Sequence, residues 1–313
     1  MSSIRSELNA LITPENRSRS SISAGLFHIF IPFFLSCCAA ILAEKLSTTL
    51  PSCEIIFKAT ALVFIGTRWR ALGNIIHECS HGIFVKSARH NEILGHLISS
   101  FEFTDFKIYC KQHQTHHVFL GDPEYDLDFK ARFEYLSDQG SNKRRLLKTM
   151  MKAITLIPLW ARQARPVVWA KKNPLWTNIL RIFLLITTFA GLLQEQTSSY
   201  IFLYAVLPFT TTYQWMRLFS DCADHIFLYG HKNEIDRSRN HIFSSRWLNK
   251  LLFPRNDAYH LVHHLFPTLP THAYPDIHNK FMSHSWYARK RHNISVFFDS
   301  FWRIKLESQG QSR

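Results

Sequence analysis

The chain has 313 residues, a formal net charge of +14, and 46% hydrophobic residues that include 26 phenylalanines. Its mean hydropathy of -0.09 excludes a protein embedded wholly in lipid and favours one divided between bilayer and water. The six cysteines, Cys37, Cys38, Cys53, Cys79, Cys110 and Cys222, form no C-x-x-C and no disulfide framework, so they read as free thiols, whereas 18 histidines call for an explanation.

Residues 1–23 form a polar, Ser-rich tail without the pattern of a cleavable leader. Residues 24–43, AGLFHIFIPFFLSCCAAILA, contain no Lys, Arg, Asp or Glu, which matches the roughly 20 residues a helix needs to cross the hydrocarbon. A second span is predicted over 55–76. Its uncharged centre, 59–67, is short, so Lys58 is expected to snorkel outward, and Arg68 and Arg70 to lie on the aqueous side of a helix that runs on beyond the membrane. A third runs over 182–193 and extends back to Trp176, with Arg181 snorkelling to the interface; a fourth covers 200–216.

These four spans make an all-α membrane protein of two hairpins, 24–76 and 176–216, with short loops at 44–54 and 194–199. The remaining segments, 77–175 and 217–313, form a helical cap, and the whole reads as one domain over 1–313. Of 37 basic residues, 32 fall in the tail and the two cap segments, which puts that side in the cytosol. The charge then describes a cytosolic face beside anionic lipid and not a nucleic-acid surface, because no compact Lys/Arg run interleaves with aromatics. Two shorter apolar runs, 93–101 and 153–161, are expected as interfacial helices, with Trp160, Trp169 and Trp176 at the headgroup level.

Three histidine clusters stand out: His77 and His81, after the second span; His113, His116 and His117, before the third; and His260, His263 and His264, after the fourth. Spacings of three and four place such residues on one helical face. Gly82 ends the first helix, Gly121 and Pro123 the second; Asn256 or Asp257 caps the third and Pro267 stops it. In a chain this rich in histidine, one H-x-x-H-H is expected only ~0.06 times by chance, and two are present. With four spans all three clusters emerge on one side. The other histidines, His28, His90, His96, His231, His241, His272, His278, His284 and His292, read as solvated or structural.

Alone, His77-Glu78-Cys79-Ser80-His81 is the H-E-x-x-H of a zinc hydrolase with Glu78 as general base. Eight histidines exceed the three protein ligands and one water of a catalytic zinc. Two first-row metals, each with four or five imidazoles, fit the count. Glu78, Asp105, Asp224 and Asp257 lie near these histidines and are candidate acceptors for their second ring N–H.

The three boxes resemble the membrane fatty acid desaturase and hydroxylase superfamily, whose pattern is H-x3-4-H followed by two H-x2-3-H-H. YHLVHHLFPTLP around the third box and HQTHHVFLGDPEYDLD after the second are especially similar, and the resemblance runs from about residue 60 to 280. It implies two iron ions held by His77, His81, His113, His116, His117, His260, His263 and His264, with His225 in DCADH as a ninth ligand. Asp221 stands where the family carries an amide, so a ligand, water-binding or capping role stays open for it. The resemblance further implies O2-dependent oxidation of an unactivated C–H bond in a fatty acyl or lipid substrate, by desaturation or hydroxylation. Electrons would come from an external donor, ferredoxin or cytochrome b5 with its reductase, and the site would face the cytosol, in a bacterial inner membrane. The alternatives are a desaturase of a small amino-acid-like metabolite, for which Arg68, Arg70, Arg237 and Arg239 near the boxes would suit a charged substrate, an H-E-x-x-H zinc protease, and a non-catalytic metal-binding membrane protein.

Overall fold

A computed structural model describes residues 2–130, 167–226, 228, 229, 231, 233–290 and 292–295. The expected helix over 153–161, with Trp160, lies outside the described residues. The described residues are helical apart from turns and two isolated bridges, Ser20 with Val85 and Ile242 with Asn293. All six cysteines are free thiols. The chain divides into two compact units, each assembled from separated segments: one takes residues 20–109 and 167–217, the other 2–19, 110–130 and 218–295.

In the first unit, helix α2 (Ile22–Thr49) opens at Ser21, whose hydroxyl accepts the Ala24 N–H, and packs along α3 (Glu54–Ser80). α2 runs on to Thr49, and the hairpin turns within Leu50–Cys53 rather than over 44–54. Hydropathy marks the edge of the hydrocarbon, whereas a helix continues until its backbone is capped. Lys58 pairs with Glu54 and Glu44. α3 ends where the sequence expects. Gly82 is left-handed (φ 66°), its N–H donates to the Cys79 carbonyl, and the Ile83 N–H donates to that of Glu78, the paired bonds of a glycine-terminated helix.

α4 (Ala88–Phe101) contains the run expected as an interfacial helix. Leu94, Ile98, Ser99 and Ser100 are instead buried, packed with α3 and α6 (Leu175–Leu193). An apolar face in a sequence does not say whether lipid or protein covers it.

α6 is inverted relative to a water-soluble helix. Ile179, Phe183, Ile186, Phe189 and Leu193 are exposed along one face, whereas Thr177, Asn178 and Arg181 are buried. Arg181 does not snorkel: it donates to the Asn178 side chain (3.1 Å) and the Thr104 carbonyl (2.8 Å). A buried cation needs such acceptors. α2 likewise exposes Leu26, Phe27, Phe30, Phe34, Ile41 and Leu42. These two helices are long and apolar enough to cross a membrane.

The expected fourth span is segmented into α7 (Glu195–Ile201), a π turn over Phe202–Val206, α8 (Leu207–Thr210) and the start of α9 (Thr212–His225). Its loop, expected over 194–199, contracts to Gln194.

The second unit contains the end of α5 (Phe106–Val118), the end of α9, α10 (Arg246–Leu252), α11 (His260–Leu265), α12 (Tyr274–Phe281) and α13 (Ser285–Ala288). Its core joins Leu261, Val262 and Leu265 of α11 to Ile277, Phe281 and Tyr287. The N-terminal segment is not a loose tail. α1 (Ser2–Ala10) buries Leu8 in this same core, and Asn16 donates to Asp276 (2.7 Å) while accepting from Lys280 (2.8 Å).

Candidate metal centre

Two H-x-x-H-H segments supply the second unit with six histidines, and helical geometry sorts them. At 100° per residue, positions i and i+4 lie 40° apart, whereas i+3 falls on the other side of i. His113 and His117 of α5 therefore point one way and His116 another; His260 and His264 of α11 pair likewise, apart from His263. The two helices exchange their odd members. His263 Nε2 lies 2.9 Å from His117 Nε2, which is 3.0 Å from His113 Nε2. His116 joins the α11 pair together with His225 from the end of α9: Nε2 of His225 is 3.1 Å from that of His116 and 2.8 Å from that of His260, which is 3.0 Å from that of His264. All four of these histidines are buried.

Proton positions show what this second cluster requires. His225 Nδ1 lies 2.8 Å from the Arg237 carbonyl, which only accepts, so Nδ1 carries the proton and Nε2 a lone pair. His116 Nδ1 lies 2.9 Å from Oδ2 of Asp126. Burial raises the Asp126 pKa, but the His116 contact and the amides of Phe129 and Gly121 outweigh it and hold the carboxyl below its usual range. His116 therefore donates from Nδ1 to this carboxylate. With both imidazoles neutral, the Nε2 lone pairs of His116 and His225 face each other at 3.1 Å and repel unless a cation, a proton or a metal ion, lies between them. For metal–nitrogen bonds of about 2.1 Å, adjacent ligand nitrogens at right angles stand about 3.0 Å apart, which matches these separations. The donor set therefore fits a first-row metal. Burial, then the neighbouring His117, His260, His225 and His116, push the His264 pKa well below its usual value, which keeps it in the neutral form that ligates.

The partners behind the ring nitrogens differ in part from those expected. Asp126, ten residues after His116, is held by a turn at Gly121, where φ is 78° and an added Cβ would lie 2.6 Å from the Tyr229 ring. The Gly121 N–H donates to Asp126 Oδ2 (2.9 Å). The sequence gives no reason to choose Asp126 over Asp122 or Asp128, because the choice depends on that turn. Tyr274, also not anticipated, places its hydroxyl 3.1 Å from His263 Nδ1. Among the expected carboxylates, Asp224 stands 3.5 Å from His260 Nδ1 and 3.3 Å from His241 Nδ1. Asp105 accepts the Ile108 N–H at the start of α5, and Asp257 accepts from the Ser220 hydroxyl. Neither Asn256 nor Asp257 caps α11, whose N-cap is Tyr259; Asn256 is left-handed and donates to the Thr271 carbonyl. Asp221 is buried one turn before His225.

Two arginines expected near a charged substrate serve the backbone. Arg237 donates to the carbonyls of His231 (2.9 Å) and Leu120 (2.5 Å). Arg239 donates to those of Ala223 and Ile226, at the end of α9, where carbonyls lack helical partners. Arg68 donates to Thr67 and lies over the Phe64 ring.

In the first unit, His77 and His81 stand one turn apart at the end of α3, with ring centroids 5.1 Å apart, and Glu78 between them is buried. The same unit buries Glu102 and Tyr213, whose side-chain oxygens both lie against Gly73, one turn before His77. Burial raises the Glu102 pKa, countered in part by Arg217, Tyr213 and Arg70.

The comparisons with known proteins agree with this arrangement. A family model described as Fatty acid desaturase matches residues 55–296. The chain is 28% identical over 236 residues to dihydrorhizobitoxine desaturase of Bradyrhizobium elkanii, covering 67% of this chain and 63% of that one. It is 23% identical over 237 residues to the chloroplastic omega-3 fatty acid desaturase of Brassica napus, with coverage of 66% and 56%. To the chloroplastic sn-2 acyl-lipid omega-3 desaturase (ferredoxin) of Helianthus annuus it is 24% identical over 238 residues, with coverage of 66% and 51%. The chain thus spans between half and two thirds of the length of these relatives. With the family model matching most of its length and the histidine boxes inside the match, the chain belongs to the fatty acid desaturase family.

Proposed function

We propose that the chain is a membrane di-iron oxidoreductase that desaturates, or hydroxylates, an unactivated C–H position of a fatty acyl or lipid substrate. The observation that carries this reading is the convergence of His116, His225, His260 and His264, with the Nε2 atoms of His116 and His225 3.1 Å apart and their Nδ1 atoms backed by Asp126 and the Arg237 carbonyl. In the reading, His116, His225, His260 and His264 hold one iron. His113, His117 and His263 hold the other, and the His77/His81 pair of box one completes it. When bound, the irons with O2 and two electrons from an external donor supply an oxidant that no side chain provides. The chain's own residues fix the imidazoles: Asp126, the Arg237 carbonyl and Tyr274 set which ring nitrogen faces the metal, and burial holds His81 and His264 in the neutral form. In desaturation the substrate gives up two hydrogens and, with two electrons and two protons from the donor, O2 leaves as two waters. Ferredoxin or cytochrome b5 with its reductase is the donor class. The four-span topology, with the centre on the cytosolic face of a bacterial inner membrane, is part of the same proposal, supported by the outward apolar faces of α2 and α6.

A second reading, oxidation of a small polar metabolite, is favoured by the relative named for dihydrorhizobitoxine and by the buried Glu102 and Tyr213 against Gly73, one turn before His77, with the half-buried Arg70 and Arg217 acting on Glu102, a polar cluster that suits a charged substrate better than an acyl chain. Mass spectrometry of lipids and polar metabolites from cells with and without the gene separates the two. Lipids lacking two hydrogens or gaining one oxygen support the first reading; a change confined to polar metabolites supports the second. The purified protein is expected to hold about two irons per chain. Stoichiometric zinc in a form that cleaves peptides would reverse the assignment.

A further inference from the structure

α11 carries three of the proposed ligands in only six residues, and its N-cap residue, Tyr259, contributes no side-chain bond. A helix this short does not hold itself. Its first N–H groups have no partners within the helix, and buried ones must find them elsewhere. Leu261 is buried, and its N–H donates to Oδ1 of Asn240, 21 residues upstream and itself fully buried, at 2.9 Å. Asn240 thus supplies from a distance the acceptor that an N-cap side chain would provide locally.

The orientation of the Asn240 amide is fixed by its surroundings. Because Oδ1 accepts from a backbone N–H, Nδ2 faces the other way, 2.8 Å from the Tyr287 hydroxyl and 3.0 Å from His292 Nδ1. His292 Nε2 lies 2.8 Å from the Tyr287 carbonyl, which only accepts, so the His292 proton is on Nε2 and Nδ1 is free to accept. The Tyr287 oxygen receives the amide proton and donates its own to His278 Nδ1, at 2.9 Å. Both amide protons and the Tyr287 hydroxyl proton thus meet acceptors, provided both imidazoles are neutral. Burial lowers the pKa of each, as does the proximity of His292 for His278.

We propose that Asn240 is a positioning residue for the metal centre: it registers the start of α11, and hence His260 and His264, against a polar frame of Tyr287, His278 and His292. The proposal rests on reading the α11 histidines as metal ligands. The test uses the full-length protein in detergent, as parent, Asn240→Ala and Asn240→Asp. Iron per chain is measured, together with the absorption spectrum after replacement by Co(II), and helix content serves as the folding control. Asn240→Ala should keep its helix content while iron falls from about two per chain to about one. Asn240→Asp retains an acceptor for the Leu261 N–H and should stay near the parent in iron. Its Co(II) spectrum should shift, because an acceptor now faces Tyr287 and His292. Iron and spectrum unchanged in Asn240→Ala would overturn the proposal. Should that variant not fold, Asn240→Asp decides, and a folded Asn240→Asp without iron overturns it. A parent that binds no metal removes the metal-centre reading and this inference together, whereas a loaded parent matched by an equally loaded Asn240→Ala removes this inference alone.

Discussion

Asp126 is buried completely and bonds at both carboxylate oxygens: Oδ2 to His116 and the Gly121 N–H, Oδ1 to the N–H groups of Phe129 and Asp128. Its carboxylate fixes the His116 tautomer, so Asp126→Ala should lower iron retention and turnover by about 10–100-fold. Asp126→Asn keeps an oxygen for Nδ1–H and should fall between; iron content and product formation on matched preparations give the measure. A second residue-scale expectation concerns pH. Burial and then His292 lower the His278 pKa from the usual 6.5 to about 4. The unfolded chain binds the proton more readily, so the stability contributed by neutral His278 is fully present above the unfolded value and is lost as pH falls from there toward the folded one. Thermal melts should show a falling Tm across that window, and a smaller fall in His278→Gln. Equal falls in both would rule out His278 as the source.

Among the elements, the ends of helices matter more than their middles. α3 delivers His77 and His81 and stops at once, because Gly82 takes up a left-handed φ of 66° that a β-carbon disfavours. Space is not the constraint, since an added Cβ would meet nothing within 4 Å. Gly82→Ala should therefore cost about 1–2 kcal/mol, the left-handed penalty alone, read as a lower unfolding midpoint. A neutral result would mean that the turn relaxes. α5 and α11 illustrate a different rule. An H-x-x-H-H on one helix serves two clusters because its i+3 member faces away from its i, i+4 pair. His117→Ala and His264→Ala are accordingly expected to deplete different metals, each leaving about one iron per chain with a distinct Co(II) spectrum. Identical spectra would refute the exchange between helices.

For the whole molecule, the decisive matter is which solvent each surface meets. The exposed rows of α2 and α6, with polar residues turned inward on α6, suit hydrocarbon. Four-span topology requires the corners at Leu50–Cys53 and Gln194 to lie on the side opposite both termini. Accessibility tags inserted there and at the termini of the membrane-embedded protein should report opposite sides; tags all reporting one side would dismiss it. The two units also interleave in sequence, so a cut between residues 109 and 110 or 217 and 218 passes through α5 or α9 and should release no independently folding piece.

Much was legible from residue order alone. The helical class, the start of α2, the ends of α3 and α6 to within a few residues, and the histidine boxes all follow from local rules, since periodicity, charge exclusion and spacing act over a few neighbours. Residue order could not show that Arg181 is buried, that 93–101 packs against protein, or that residues 2–17 dock on the second core, because each depends on what a face meets after folding. Nor could it select Asp126, Tyr274 and Asn240 from their neighbours. The histidine types and spacings mark a candidate metal site, but which nitrogen faces it is set by hydrogen bonds to partners ten or more residues away, as in the 2.9 Å contact of His116 with Asp126 and the 2.8 Å contact of His225 with the Arg237 carbonyl. The chemistry of a ligand belongs to its own side chain, whereas its tautomer and direction belong to partners that only the tertiary fold brings within reach.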